Sequence, residues 1–351
     1  MNNKIYEALA YDDVLLVPQY SNIESRSQIH LTTDMGNGLV LQLPVIASPM
    51  DTISGKAMSV AMDQAGGMAV IHRYNTVEEQ IDMLTSAISS GAGNAGVAVG
   101  VTGDYLLRAT AAMDAGANFV CVDVAHGHHI LVKNAIESLR AELGPCFHIM
   151  AGNVATVEGF DALAEWGADS IRCNIGGGSI CTTRIQTGHG VPGLHTLFEC
   201  ASSEHAGKVR IIADGGIRTS GDIVKALAAG ADAVMVGSML AGTIESTGEL
   251  IHEYDATTGK RISKKVYRGM ASAEAQNDWR GRTSSLEGVS TIVPFKGGVG
   301  EILTKLEGGI RSGLSYSGAT NVAELHAKAK FIRQTGAGKV ESGAHALTKR
   351  E

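Results

Sequence analysis

The sequence has no excess of basic residues, no long apolar run and no closely spaced cysteine pair. Its 351 residues include 29 lysines and arginines against 36 aspartates and glutamates, a formal net charge of −7, whereas nucleic-acid binding normally needs a basic patch. No apolar run approaches the roughly 20 residues that span a bilayer, and the N-terminus has no apolar core of a secretion signal. The five cysteines are widely spaced without a CxxC pair, which suits neither a disulfide scaffold nor a structural zinc site. We expect a cytoplasmic protein with reduced cysteines and with neither nucleic acid nor membrane as a partner.

Short apolar runs rich in β-forming residues recur along the chain, and most precede a stretch whose apolar residues recur at helical spacing. The runs are residues 44–48, 68–72, 95–100, 119–125, 148–154, 170–175, 209–216 and 233–238. Strands that alternate with helices require right-handed parallel crossovers. The sequence therefore predicts an α/β fold, a (β/α)8 TIM barrel that occupies residues 1–351 as a single domain.

Two segments interrupt this alternation. The longest interval between strands separates the sixth from the seventh and contains the cysteine loop, Ile-Gly-Gly-Gly-Ser-Ile-Cys-Thr-Thr-Arg at 175–184. A second segment, about 244–300, is polar, glycine-rich and irregular, which is typical of a mobile flap, and we place the flap at about 271–300. The last residues, about 338–351, have the composition of a disordered tail.

Cys181 is the candidate nucleophile. Three glycines and a serine precede it and two threonines follow, so hydroxyl groups, backbone N–H groups and Arg184 can favour its thiolate. The alternative is an incidental loop cysteine. Cys121 and Cys173 alternate with apolar neighbours inside strands, which indicates small core residues. The loop glycines also leave carbonyl oxygens free to bind a hard cation.

Chemistry in this barrel sits at the C-terminal ends of the strands, where the sequence places Ser48, Asp123, Asn153, Asp214 and Gly237. Glycine turns end the seventh and eighth strands, at the usual phosphate site of the fold. Asp214 suits a ribose diol, because a carboxylate accepts from both hydroxyls; the alternative is that it caps the following helix at Thr219. A sugar and a phosphate together indicate a nucleotide.

The run Asp-Val-Ala-His-Gly-His-His at 123–129 has two interpretations. Imidazoles beside a carboxylate can hold a metal ion. Adjacent histidines on one loop rarely converge without a further ligand, however, and Asp123 at its strand end fits better as an acid that contacts a cofactor.

Motifs in order along the chain resemble the family of IMP dehydrogenase and GMP reductase. They are YDDVLLVP, ASPMDT, AGNVAT, GGGSICTTR, ADGGIR, VGSMLAG, YRGM and VPFKG, within about residues 10 to 335. The resemblance implies a homotetrameric barrel enzyme whose loop cysteine attacks C2 of a purine. It also implies a nicotinamide dinucleotide as redox partner and a monovalent cation, potassium, held by the cysteine loop.

The resemblance also implies roles for individual residues. The catalytic residues would be Cys181, Thr183 and Glu287, with Glu287 also near the base. The substrate would contact Ser48, Met50, Ser179, Asp214, Gly215, Gly216, Gly237, Ser238, Tyr267, Gly269 and Met270. The cofactor would face Asp123, Val124, Ala125, Ile175 and Gly176. The cation would lie at Gly176, Gly178, Cys181 and Arg184, in a loop that Gly177, at a position where the family usually has proline, leaves more flexible.

Two comparisons with the family favour a reductase. Many dehydrogenases of the family carry a regulatory CBS module between the second and third strands, where this chain has no insertion. Their flap reads like EGxxGRVPYKG and its arginine activates water, whereas this chain has Ile292 and Phe295 at the arginine and tyrosine positions. Neither side chain can deprotonate water. The resemblance thus implies a GMP reductase, which converts GMP to IMP and ammonia with NADPH.

Three alternatives stay open. The first is an IMP dehydrogenase without CBS domains, which would oxidise IMP to XMP with NAD. Arg268, Arg280 or Arg282 near the flap could replace the missing arginine, and the sequence of residues 213–238 looks closer to that of the dehydrogenases. A flavin-dependent barrel oxidoreductase would hold the phosphate of FMN in the same glycine turns. A catalytically silent nucleotide-binding protein would keep the barrel alone, although the presence of Cys181, Thr183 and Glu287 together argues against it.

Overall fold

The segment that precedes the barrel forms three short strands and closes one end of the barrel. The structure, a computed structural model, describes residues 5–254, 257 and 259–343. The strands are β1 Val14–Leu16, β2 Thr33–Asp34 and β3 Val40–Leu41, with 3-10 turns at Tyr11–Asp13 and Arg26–Gln28. Strands β2 and β3 pair as an antiparallel hairpin. The carbonyl of Gly36 in this hairpin lies 3.2 Å from Nδ1 of the buried His148, so the hairpin covers the N-terminal end of the barrel.

The predicted apolar runs form a closed barrel of eight parallel strands, which confirms the predicted TIM barrel. The strands are β4 Val45–Ala47, β5 Met68–Ile71, β6 Ala95–Val99, β7 Phe119–Asp123, β8 His148–Val154, β9 Ser170–Cys173, β10 Arg210–Asp214 and β11 Ala233–Val236. Parallel pairing between β4 and β11 closes the ring. These strands are buried on both faces, which explains why their sequences are nearly continuous apolar runs.

Helices surround the barrel between successive strands. They are α1 Lys56–Gln64, α2 Val77–Ser89, α3 Tyr105–Asp114, α4 Ile130–Leu143, α5 Val157–Glu165, α6 Thr183–Thr187, α7 Gly193–Ala201 and α8 Ser220–Ala228. Between β5 and β6, where the sequence predicted no inserted module, the chain forms helix α2 and no other element. This helix begins with a reciprocal cap: Thr76 accepts from the Glu79 N–H at 3.1 Å, while Glu79 accepts from the Thr76 N–H at 2.9 Å. Interval by interval, the chain alternates strand and helix as the sequence predicted.

Two apolar cores result from this arrangement. The larger lies between the strands and the helices. The smaller fills the barrel interior, where side chains of the strands meet the hairpin residues Met35, Leu39 and Leu41. Cys121 belongs to the inner core and Cys173 to the outer one, which confirms their prediction as core residues. Burial raises the pKa of the Cys121 thiol to about 12, so this sulfur stays protonated and inert.

The prediction that segment 244–300 is irregular is wrong for the described residues. Strands β12 Leu250–Tyr254, β13 Arg261–Arg268 and β14 Ser290–Pro294 form an antiparallel sheet, and helix α9 spans Ala273–Arg280. The flap, residues 271–300, therefore contains α9 and β14. The strands escaped notice because almost none of their residues are fully buried, and their sequences show little of the alternation that marks a half-buried strand.

The C-terminal region returns to the start of the chain. It comprises α10 Val299–Tyr316, α11 Val322–Lys328, β15 Phe331–Arg333 and α12 Gly336–Glu341. Strand β15 pairs antiparallel with β1. The predicted disordered tail, 338–351, is wrong for residues 338–341, which belong to α12, while residues 344–351 lie outside the described part of the chain. No helix in the described residues is long and apolar enough to cross a membrane.

Candidate active site

A cavity of about 350 Å³ opens at the C-terminal ends of the barrel strands, within the usual size range of small-molecule sites. Strand ends, the cysteine loop and the flap all line it. It brings together every predicted catalytic, substrate and cofactor residue: Ser48, Met50, Asp123, Val124, Ala125, Ile175, Gly176, Ser179, Cys181, Thr183, Asp214, Gly215, Gly216, Gly237, Ser238, Tyr267, Gly269, Met270 and Glu287. The predicted residues therefore lie in one continuous site.

Cys181 belongs to a hydrogen-bonded chain of three side chains. Its sulfur lies 3.2 Å from Oγ1 of Thr183, and this hydroxyl donates to Oε2 of Glu287 at 2.8 Å. Because the Thr183 proton points to the carboxylate, the hydroxyl oxygen can accept from the thiol. The chain therefore provides a path along which the thiol proton can reach Glu287.

Backbone hydrogen bonds join the cysteine loop to the flap at the same place. The Thr182 N–H donates to the Glu287 carbonyl at 2.9 Å, and the Val289 N–H donates to the Ile180 carbonyl at 3.0 Å. Cys181 and Gly288 form an isolated antiparallel bridge between these contacts. Cys181 and Glu287 are far apart in sequence, and this pairing fixes their relative position.

Arg172 is a central residue of the site that the sequence analysis missed. It is 6% exposed, and its guanidinium donates to Asp123 Oδ1 at 2.6 Å and to Asp214 Oδ2 at 2.8 and 3.1 Å. Burial by itself would raise the pKa of Asp123, but Arg172 and then Arg73 outweigh it, so the pKa is lowered. Asp123 is thereby held as a carboxylate. A charged residue in the apolar run Ser-Ile-Arg-Cys was the signal that could have found it.

Asp214 faces the cavity and does not cap a helix. Its Oδ2 accepts from Arg172 and from Nδ2 of Asn153, the latter at 2.8 Å. Helix α8 is capped by Thr219, whose hydroxyl accepts from the Asp222 N–H at 3.1 Å. The alternative that Asp214 caps this helix is therefore wrong, and its carboxylate is available to the cavity.

Gly237 allows three side chains to approach one another at the end of β11. A Cβ at this position would lie 2.9 Å from Ser48 Oγ, 3.1 Å from Met50 Sδ and 3.2 Å from the Tyr267 hydroxyl. Burial raises the pKa of Tyr267, and a smaller effect of the neighbouring Ser179 in the opposite direction does not cancel it. Ser48 Oγ is buried with no hydrogen-bond partner among the described residues. A buried hydroxyl of this kind calls for a partner from outside the chain, which fits a bound polar ligand.

The predicted cation residues are only partly together. Gly176, Gly178 and Cys181 line the cavity, whereas Arg184 does not. The Arg184 guanidinium donates to the carbonyl oxygens of Ile175 and Val191, at 3.2 and 2.5 Å, and so ties the start of the cysteine loop to the segment after α6.

A neighbouring side chain fills the space beside Gly177. A Cβ on Gly177 would lie 2.1 Å from Nδ2 of Asn174, and this amide donates to the Asp214 carbonyl at 2.8 Å. Asn174 thus occupies the space that a side chain at 177 would need, and the loop is held by a hydrogen bond where the sequence analysis expected flexibility.

The histidines at 126–129 do not form a metal site. Among the described residues, no group of three or more His, Cys, Asp or Glu side chains is placed to hold a metal ion. His129 instead caps α4, since its Nδ1 accepts from the Leu131 N–H at 3.1 Å. The metal interpretation of this run is wrong, and Asp123 is paired with arginines.

The flap positions that suggested a reductase lie outside the cavity. Ile292 and Phe295 are 43% and 39% exposed and do not line it. Arg268 is paired with Asp51 at 2.7 Å and with Asp278 at 2.5 Å. None of the three arginines considered as replacements, Arg268, Arg280 and Arg282, is among the lining residues.

An aromatic contact holds the flap helix against the barrel. Tyr74, which follows β5, stacks on Trp279 of α9 with ring centroids 4.1 Å apart. Its hydroxyl donates to the Met270 carbonyl at 2.8 Å. The guanidinium of Arg280 lies 4.3 Å from the Trp279 ring centroid, so this arginine is engaged in a cation–π contact.

Comparisons with known proteins agree with this geometry. The profile of the IMP dehydrogenase / GMP reductase domain matches residues 8–345. Inosine-5′-monophosphate dehydrogenase of Nitrosopumilus maritimus (strain SCM1) is 33% identical over 97% of this chain and 98% of its own. GMP reductase of Leishmania major is 31% identical over 98% of each. A cysteine-to-alanine variant of GMP reductase from Trypanosoma brucei, solved with guanosine 5′-monophosphate, superposes with a TM-score of 0.90 at 31% identity, over 98% of this chain and 99% of that one.

Proposed function

The chain belongs to the IMP dehydrogenase / GMP reductase family, and we propose that within it the protein acts as a GMP reductase. Members of this family are purine-nucleotide oxidoreductases that use a nicotinamide cofactor. Relatives of both activities are equally similar to this chain, so the choice depends on the site. The main support for a reductase comes from the flap residues that line the cavity. They are Ala271, Glu287 and Gly288, and none of them is an arginine that could activate water.

The remaining arginines of the cavity support the same choice. Only Arg73 and Arg172 line it among the described residues. Arg172 is bonded to both Asp123 and Asp214, and Arg73 lies 3.5 Å from Asp123. Since both guanidinium groups neutralise carboxylates, neither is a good proton acceptor for water. Hydride transfer to a covalent intermediate requires no such base.

GMP fits the polar groups of the cavity. Asp214 would accept hydrogen bonds from the ribose hydroxyls, and the turns at Gly215–Gly216 and Gly237–Ser238, with Ser179 and Tyr267, would hold the phosphate. Both Gly215 and Gly216 adopt positive φ, 80° and 75°, which turns the backbone at the strand end. Ser48 Oγ, buried and unpartnered, would bond to the nucleotide. The GMP bound to the Trypanosoma brucei relative supports this substrate.

In the proposed reaction, the proton of Cys181 passes through Thr183 to Glu287, and the sulfur adds to C2 of GMP. The same proton then returns through Thr183 to the 2-amino group, so that the C2–N bond breaks, ammonia leaves and a thioimidate remains. NADPH in the same cavity supplies a hydride to C2. The C2–S bond then breaks, which releases IMP and the Cys181 thiolate, and a solvent proton restores the thiol.

The other parts of the proposal concern binding. Asp123, Val124, Ala125, Ile175 and Gly176 would face the nicotinamide cofactor beside the nucleotide. Carbonyl oxygens of the cysteine loop, at Gly176, Gly178 and Cys181 and near Arg184, would hold a potassium ion, because hard cations prefer oxygen ligands. We also propose a homotetramer in the cytoplasm, as the family resemblance implies.

Two absorbance assays test the reaction. We expect NADPH to be oxidised when GMP is present, with IMP and ammonia formed in equal amounts. Formation of NADH from IMP and NAD, without GMP-dependent loss of NADPH, would show a dehydrogenase instead. Yellow colour and a tightly bound flavin would show the flavin class.

The nucleophile can be tested separately. Cys181→Ala should abolish turnover, while GMP still binds by calorimetry with an affinity close to that of the wild type. Cys146→Ala is the matched control, because Cys146 is exposed and outside the cavity. Substantial turnover by Cys181→Ala would exclude the covalent mechanism.

A further inference from the structure

The second oxygen of the Glu287 carboxylate also has a donor. Thr183 donates to Oε2 at 2.8 Å, and the hydroxyl of Ser285 donates to Oε1 at 2.9 Å. A glutamate carboxylate rotates freely about its last torsion unless both oxygens are held. Two donors on opposite oxygens fix the plane of the group and keep Oε2 directed at Thr183.

Ser285 is itself held by a buried glutamine of the flap helix. Gln276 is 3% exposed, and its Nε2 donates to the Ser285 carbonyl at 2.9 Å and to the Ala271 carbonyl at 3.1 Å. Its Oε1 accepts from the Ser284 N–H at 2.7 Å and from the Ser284 hydroxyl at 3.0 Å. A single buried amide therefore fixes the short turn that carries Ser285.

These contacts form a continuous support from α9 to the reactive sulfur. Gln276 fixes the turn, the turn presents the Ser285 hydroxyl, and that hydroxyl orients Glu287, which bonds Thr183 beside Cys181. Ser285 does not line the cavity, so it does not touch the substrate. Its contact is with the carboxylate alone.

We propose that Ser285 is a positioning residue for the proton transfer between Cys181 and Glu287. This role rests on the proposed function, in which Glu287 first accepts the thiol proton and later returns it to the departing amine. Loss of the Ser285 hydroxyl leaves the carboxylate free to turn away from Thr183. The chemical step slows, while the nucleotide, which Ser285 does not contact, binds as before.

Steady-state kinetics of GMP-dependent NADPH oxidation test this proposal. In Ser285→Ala we expect kcat to fall roughly tenfold, because a hydrogen bond to a charged group is lost, and KM for GMP to stay within about twofold of the wild type. Ser285→Thr keeps the hydroxyl and should restore most of kcat. Ser284→Ala is the matched control: it removes a hydroxyl from the same turn and no bond to Glu287, while the Ser284 N–H still donates to Gln276 and holds the turn, so its kcat should stay within about twofold.

The outcomes separate this proposal from the one on which it rests. If the wild-type protein shows no GMP-dependent NADPH oxidation, the proposed function is wrong and this role falls with it. If the wild type is active and Ser285→Ala matches Ser284→Ala in kcat, only the positioning role is overturned. A fall in kcat that Ser285→Thr does not restore, or an equal loss in kcat and rise in KM, would also overturn it.

Discussion

Replacement of Arg172 by methionine should destabilise the fold strongly at neutral pH. The guanidinium makes three hydrogen bonds of 2.6 to 3.1 Å to Asp123 and Asp214. The two acids are only 15% and 13% exposed. Methionine fills similar volume but leaves both carboxylates without their main partner, which is the costly way to disrupt a buried ion pair.

Three estimates set the expected loss in the free energy of unfolding. Breaking a buried pair by removing one partner costs about 3–5 kcal/mol. Three charge-assisted bonds at about 1.5–3 kcal/mol each would exceed this, but a freed carboxylate can instead take up a proton. Protonation of an aspartate with an ordinary pKa near 3.9 costs about 4 kcal/mol at pH 7. We therefore expect a loss of about 3–5 kcal/mol in the free energy of unfolding.

The pH dependence gives the loss a distinctive sign. In the wild type the folded-state pKa of Asp123 is lowered, so its contribution to stability is present above the unfolded pKa and is lost as pH falls through the folded one. Without Arg172, burial dominates and raises the pKa of Asp123 above its unfolded value. An aspartate with a raised folded-state pKa destabilises the protein least below its unfolded pKa. Its unfavourable contribution to the free energy of unfolding grows as the pH rises towards the folded pKa. The deficit of the variant should therefore shrink as the pH is lowered.

Urea unfolding at about pH 7.5 and about pH 5 measures this deficit. Arg333→Met is the matched control, because Arg333 pairs with Glu7 and both side chains are exposed, at 61% and 62%, so its loss should cost at most about 1 kcal/mol. A loss below about 1 kcal/mol for Arg172→Met, or a loss that does not decrease towards pH 5, would refute the reasoning.

Two further predictions concern the cysteine loop and the flap. Gly177→Ala should lower the free energy of unfolding by about 1–3 kcal/mol, because the new Cβ displaces the Asn174 amide. The control is Gly308→Ala, in a helix with open space around it, which should raise the melting temperature slightly. An unchanged melting temperature for Gly177→Ala would contradict the expectation. Tyr74→Phe keeps the aromatic stack but loses the hydrogen bond to the Met270 carbonyl. We therefore expect KM for GMP to rise roughly threefold with little change in thermal stability. An unaltered KM would show that this hydrogen bond does not position Met270 for binding.

The barrel could be predicted from sequence because its strands are buried on both faces. Residues 95–100 and 119–125, for example, are apolar at nearly every position, and the structure has β6 and β7 there. The end of the barrel that carries the cavity was also predictable, since parallel strands bring their C-terminal ends to one edge. The positions of Asp214 and Gly237 at the cavity follow from that topology alone.

The parts that escaped prediction depend on contacts between distant segments. Arg172 lies inside an apolar strand, and only the closed ring brings it between Asp123 and Asp214. The support of Glu287 by Ser285 and Gln276 depends on how α9 packs under a turn, which no local pattern encodes. Sequence patterns report which face of an element is buried, and they do not report which side chains meet across the fold.

The pairing of β1 with β15 ties the two ends of the chain together. Tyr11, just before β1, is buried and packs beside Gly216, which lines the cavity. Contacts between residues so distant in sequence raise the contact order and slow folding. During synthesis β1 has no partner until residues 331–333 have left the ribosome. The barrel strands emerge earlier, but the packing around Tyr11 beside the cavity is completed only after β15 emerges, so deletion of β15 should leave a folded barrel with an incomplete cavity wall.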